Sequence, residues 1–168
     1  MRTFIALELS PEIKQSLGRM MGTLSSLTGN VRWARPEGMH VTLKFLGEIS
    51  EAQADRVSAV LKLVAHRHGR VSCAVRGTGW FPEKSRSPRV LWVGLEAGPE
   101  LGALHQDLDQ ELGKEGFPRE DRAFHPHLTL GRVKSPHGLQ PLLRELELNS
   151  AAEFGSVTSS EITFFQSR

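Results

Sequence analysis

His40-Val41-Thr42-Leu43 and His127-Leu128-Thr129-Leu130 are two copies of one pattern, His-x-Thr-Leu, set 87 positions apart in a chain of 168 residues. From the chain's own composition about 0.04 copies are expected by chance, so the recurrence is a signal and not an accident. In a strand the side chains alternate faces. His40 and Thr42 then project together while Val41 and Leu43 enter a core, and His127 and Thr129 do the same against Leu128 and Leu130. The copies lie about half a chain length apart and share flanking punctuation: Pro36 and Gly38 before the first, Pro126 before the second, Gly47 and Gly131 after. The reading is a duplicated half-domain whose two sites converge on one ligand.

Working outward, Arg2 to Leu9 reads as a first strand. Ser10 caps the helix after it, Pro11 takes its first position, and Ile13, Leu17, Met20, Met21 and Leu24 recur at helical spacing until Gly29 and Asn30. Met39 to Leu46 is the first motif strand. Ser50 opens a second helix with Val57, Val60, Leu61 and Val64 on its buried face, ending near Gly69. Arg70 to Arg76 and Arg89 to Leu95 read as strands joined by a mobile loop, Phe81 to Pro88. Leu101, Leu104, Leu108 and Leu112 form a third helical stripe closed by Gly113 and Gly116. After the second motif strand come a short helix, Leu139 to Leu146, and two final strands, Glu153 to Thr158 and Glu161 to Gln166, read as a hairpin. The expected class is α+β with largely antiparallel sheet; no Gly-rich phosphate turn follows the first strand, which argues against a doubly wound sheet.

Composition bounds the function. With 21 Lys plus Arg against 19 Asp plus Glu the net charge is only +2, so a general nucleic-acid-coating protein is not indicated, although a local basic patch is compatible. A single cysteine, Cys73, excludes an intrachain disulfide and a Cys-rich zinc site, and its apolar strand marks it as inert. The N-terminal segment is too short and too polar for a signal peptide, and no apolar run approaches the roughly 20 residues that cross a bilayer. The expectation is a soluble, cytoplasmic monomer with no membrane partner.

Two histidines suit proton transfer near neutral pH, one ring as base and its twin as acid. Each threonine hydroxyl can donate to an anionic oxygen, a bond worth about 1.5–3 kcal/mol. The set matches phosphodiester cleavage without a required metal or other cofactor. His66 and His68 are better explained by the helix end they occupy. His125 and His127 lack the carboxylates or thiols that would complete a metal site. There is no Gly-x-Ser-x-Gly elbow and no phosphate-loop Gly-Lys-Ser/Thr, so serine hydrolase and ATP-dependent ligase lack their parts.

The stretches His40 to Gly47 and His125 to Arg132 closely resemble the two signatures of the RNA 2′,3′-cyclic phosphodiesterases, historically called 2′-5′ RNA ligases, within the two-histidine phosphoesterase superfamily. Arg2 to Leu9, Trp33, Gly79 to Pro82 and Arg89 to Gly94 also look like that family. The resemblance implies a single bilobal domain over 1–168, with two largely antiparallel sheets in pseudo-twofold symmetry around a central cleft and helices outside. It implies hydrolysis of 2′,3′-cyclic phosphate on RNA ends or nucleotides to a 2′-phosphate, with His40 as general acid to the leaving 3′ oxygen, His127 as general base on water, and Thr42 and Thr129 on the phosphate. The alternatives are the reverse reaction, ATP-independent 2′-5′ joining, and a non-catalytic RNA-end binding module. One departure is that family members usually continue past the positions of Gln166 and Ser167 into another short segment and a closing strand, whereas this chain stops at Arg168, so one sheet edge is expected to be incomplete or differently covered.

Further residues complete the candidate site. Arg132 resembles the family's basic residue after the second motif, yet strict alternation aims it away from His127 unless the strand twists or bulges. Lys44 shares the His40 face by the same alternation and reads either as a phosphate contact or as a solvated strand-end charge. Phe45 and Trp33 read either as nucleobase-stacking rings or as core. Arg119 and Arg122, and Lys84, Arg86 and Arg89, read as solvated loop charge, some of it guiding RNA toward the cleft.

Overall fold

The computed structural model describes residues 2–167; the expectation about the chain end at Arg168 lies outside them. Among the described residues there are eight strands and four α-helices. They follow the order β1 (Arg2–Glu8), α1 (Pro11–Ser25), β2 (Val31–Trp33), β3 (His40–Glu48), α2 (Glu51–Arg67), β4 (Val71–Phe81), β5 (Val90–Ala97), α3 (Pro99–Lys114), β6 (His127–Val133), α4 (Gln140–Leu148), β7 (Glu153–Ser159) and β8 (Thr163–Ser167). The class is α+β, and every strand pair is antiparallel. One sheet runs β3-β1-β8 and the other β2-β6-β5-β4-β7.

The duplication is visible in the connectivity. Strand, helix, motif strand, helix, strand occurs as β1-α1-β3-α2-β4 and again as β5-α3-β6-α4-β7, with the short β2 inserted before the first motif. Each motif strand pairs with the first strand of its own half, β3 with β1 and β6 with β5. Glu8, Ala6 and Phe4 lie opposite His40, Thr42 and Phe45, as Gly94, Trp92 and Val90 lie opposite His127, Thr129 and Arg132.

The helices form as their sequences dictate. The Ser10 hydroxyl accepts from the Ile13 N–H at 3.3 Å, and Ser50 forms a reciprocal box with Gln53. The stripe Leu101, Leu104, Leu108, Leu112 is fully buried, as are Ile13, Leu17 and Leu24 on α1. α1 packs on β7, α3 on β3, β4 and β5, and α4 on β4, so each sheet buries one face under helices. Leu128 and Leu130, like Val41 and Leu43, point into that core, leaving the other face of each motif strand for the site. Among the described residues no helix is long and apolar enough to cross a membrane.

Three expectations need correction. β7 and β8 are not a hairpin: β7 pairs with β4 in the large sheet, and β8 crosses to pair with β1 in the small one. β4 runs on to Phe81, five residues past the expected end at Arg76, and the connection to β5 is tied down by Trp80 Nε1 donating to the Ser85 carbonyl at 3.0 Å. Gly79 lets this happen, because a Cβ there would lie 2.3 Å from the Trp92 ring across the sheet. Finally, α1 ends at Ser25, before Gly29, and the short β2 follows.

Candidate active site

Both motif strands bulge at the same point. In β3 the register passes from Ala6↔Thr42 to Ile5↔Lys44, so Leu43 is the extra residue; in β6 it passes from Trp92↔Thr129 to Leu91↔Gly131, so Leu130 is. A bulge resets the alternation beyond it. The face that carries His40 and Thr42 therefore continues with Phe45, and the face that carries His127 and Thr129 continues with Arg132. The bulge thus supplies what strict alternation denied Arg132. Gly131 is required at the second one: a Cβ there would meet Val31 Cγ1 at 2.7 Å and the Arg32 carbonyl at 3.0 Å.

The same reset turns the Lys44 ammonium toward α3, which removes the solvated-charge reading, although the residue still borders the cleft that holds the histidines. Its side chain is 3% exposed, with Nζ 2.6 Å from Asp109 Oδ1 and 2.5 Å from the Pro118 carbonyl. Asp109, on α3, also accepts the Glu120 N–H at 3.2 Å on both oxygens, and Arg119 Nε approaches to 3.6 Å. Burial alone would raise the Asp109 carboxyl, but the Lys44 ammonium and the Glu120 N–H outweigh it and hold the group below its ordinary value. This cluster ties the first motif strand to the segment that delivers the second.

His40, Thr42, Phe45, His127 and Thr129 line one cleft of about 730 Å³, together with Phe4, His105, Arg122 and Phe124. His127 is exposed, and its Nδ1 lies 3.0 Å from the His125 carbonyl. A carbonyl only accepts, so Nδ1 carries the proton and Nε2 holds the lone pair when the ring is neutral. His40 is half-buried and bonds the Gly38 backbone, again two residues upstream. Burial, then the Lys14 ammonium, lowers its imidazole below the ordinary 6.5; the Gly38 bond and Glu8 oppose this without winning.

Sequence reasoning missed the rings around these histidines. Phe165 on β8 lies 4.3 Å from His40 between ring centroids, and Phe4 lies 5.8 Å away. Phe81 meets His127 edge-on at 5.4 Å. Register, not local sequence, brings them there: Phe165 reaches His40 only because β8 pairs with β1. His105 went unnoticed inside a leucine-striped helix, yet it stacks on Phe124 at 3.9 Å and is lowered by burial. Phe45 is 72% exposed on the His40 face, whereas Trp33 packs on the core side opposite Gly131, which removes it as a base platform.

The other candidate residues sort by position. Arg122 reaches the cleft and Arg119 is drawn to Asp109; Arg132, although on the His127 face, does not line it, nor do Lys84, Arg86 and Arg89. His68 pairs with Asp107 on α3 at 2.8 Å, which explains it better than the helix end does. Burial pushes the Cys73 thiol up, keeping it protonated. Among the described residues no three His, Cys, Asp or Glu side chains gather as a metal site.

A model of the 2′-5′ RNA ligase superfamily matches residues 11–168. A Methanothermobacter thermautotrophicus protein named RNA 2′,3′-cyclic phosphodiesterase is 34% identical over 166 residues, covering 99% of this chain and 89% of its own. A Thermotoga maritima protein of the same name is 34% identical over 167 residues, covering 97% and 88%. Among solved structures, Escherichia coli LigT complexed with 3′-AMP superposes with a TM-score of 0.71 at 26% identity, covering 97% of this chain and 86% of that one.

Proposed function

The chain belongs to the 2′-5′ RNA ligase superfamily, and on that premise we propose that it is a phosphodiesterase that hydrolyses 2′,3′-cyclic phosphate on RNA ends or nucleotides, as one bilobal domain. The observation that carries this is the convergence of two bulged strands, related by the internal duplication, that offer His40 with Thr42 and His127 with Thr129 to one cleft.

In this reading the cyclic phosphate sits between the two imidazoles. Thr42 and Thr129 donate to its non-bridging oxygens, where charge grows as the pentacovalent state forms. His127 takes a proton from water through Nε2, the nitrogen left free by the His125 carbonyl. Water attacks phosphorus opposite the 3′ oxygen, the P–O3′ bond breaks, and His40 returns a proton to that oxygen, leaving a 2′-phosphate and a 3′-hydroxyl. Proton count balances: one from water to His127, one from His40 to the leaving oxygen. Acid, base and oxyanion donors are all supplied by this chain. Phe45, exposed on the same face as His40, stacks the terminal base.

The experiment is turnover of a 2′,3′-cyclic nucleotide by the wild type and by His40→Ala and His127→Ala, with folding checked by circular dichroism. Loss in both folded variants supports the reading; wild-type turnover in either overturns it.

A further inference from the structure

The two halves match through the motifs and then diverge. Five residues beyond the histidine, the first half presents Phe45 and the second Arg132, each on its histidine's face because each strand bulges at the same place. Opposite Arg132 on β2 stands Arg32, in direct cross-strand register, with Val31 and Trp33 on the core side. Both arginines are exposed, and among the described residues no carboxylate lies within ion-pair distance of either. Like charges directly opposite on a sheet repel, so the pair costs the fold and returns nothing to it. An anion held between two guanidinium forks turns that repulsion into a clamp, and the fork geometry matches phosphate.

We propose that Arg32 and Arg132 form a second phosphate subsite for the internucleotide phosphodiester next to the cyclic end, so that the protein engages RNA strands and not only nucleotides. The inference rests on the proposed function for the identity of the end. From Thr129 to Arg132 the strand advances at most about 10 Å, which places the clamp beyond the reacting phosphate, along the second lobe. A cyclic phosphate closes the 3′ end, so the strand can leave the site only in its 5′ direction, and its first remaining phosphate is a diester. The first lobe offers an aromatic ring at the equivalent position. That difference gives the otherwise symmetric cleft a polarity: base toward Phe45, strand toward the arginines.

The test is fluorescence anisotropy with a five-nucleotide RNA ending in a non-reactive 3′-phosphate, and competition by a nucleoside 3′-monophosphate, across a salt series. Wild type is compared with Arg32→Gln, Arg32→Lys and Arg32→Gln/Arg132→Gln. Each neutralised arginine should reduce the slope of log affinity against log salt for the pentamer by about 0.7. Arg32→Gln should weaken the pentamer about five- to tenfold and the mononucleotide less; Arg32→Lys should keep the slope while losing affinity. An unchanged slope in the double variant, or an equal loss for pentamer and mononucleotide, overturns the subsite. Binding is read without turnover, so a chain that bound strands in this way but failed to hydrolyse cyclic phosphate would refute the proposed function and leave the clamp standing.

Discussion

Replacing Lys44 with Met should be among the most damaging single changes outside the histidines, although sequence inspection places it on an ordinary strand end. Met keeps the aliphatic stem and removes the ammonium, stranding Asp109 at 7% side-chain exposure with the Glu120 N–H and a guanidinium 3.6 Å away. Removing one partner of a buried pair costs about 3–5 kcal/mol. The half-exposed Arg119 can move closer, so the lower end applies, about 3 kcal/mol. For a chain of this size that is a fall in Tm of about 6–12 °C. Thermal unfolding followed by circular dichroism measures it. Asp109 titrates below its ordinary value in the folded state, so its contribution is complete above the ordinary carboxylate range and is lost as pH falls through the depressed value. The gap between wild type and Lys44→Met should therefore close in acid. Lys44→Met/Asp109→Leu should recover most of the loss, since an apolar pair needs no compensating charge. A single variant within about 2 °C of wild type at neutral pH would refute the reasoning and make Lys44 a solvated charge.

His40→Ala and His127→Ala should each lower turnover by about 10²–10⁴-fold, and Thr42→Val or Thr129→Val by about 10–100-fold, measured on a cyclic nucleotide; a threonine variant as inactive as a histidine one would assign it a larger role. The rate against pH should be a bell. Burial and Lys14 hold His40 below 6.5 in the free protein, so the limb of kcat/KM that His40 sets should lie below that value. The bound phosphate favours the protonated ring and should move the same limb of kcat upward. Lys14→Gln removes one lowering charge and should shift that kcat/KM limb up; a profile in which neither limb moves would refute the coupling of Lys14 to His40. Gly131→Ala drives a Cβ against Val31 and the Arg32 carbonyl, so it should lower Tm and weaken RNA binding together; a neutral outcome in both would mean that β2 shifts freely.

The sequence exposed the parts governed by local chemistry. The Ser10 and Ser50 caps, the Leu101-to-Leu112 stripe and the two His-x-Thr-Leu strands stand where their patterns put them, because capping and periodicity depend on neighbours along the chain. What escaped depends on neighbours across it. Nothing in Leu43-Lys44 marks a bulge, so alternation misplaced Lys44; Gly131 after Leu130 was the only local hint of its counterpart. The partners of β7 and β8 were decided by open edges on β4 and β1, not by the short turn between them, and with that choice went the placement of Phe165 against His40. Asp109 was hidden in a helix whose leucine stripe is its dominant signal.

The most direct test of the central claim is incubation of the full chain with an oligoribonucleotide ending in 2′,3′-cyclic phosphate, in the presence of a chelator, followed by chromatographic identification of the product isomer. Acid, base and oxyanion donors from His40, His127, Thr42 and Thr129 predict turnover with a 2′-phosphate end. A 3′-phosphate product would contradict the direction of attack, and turnover abolished by chelator and restored by one metal would contradict the two-histidine account.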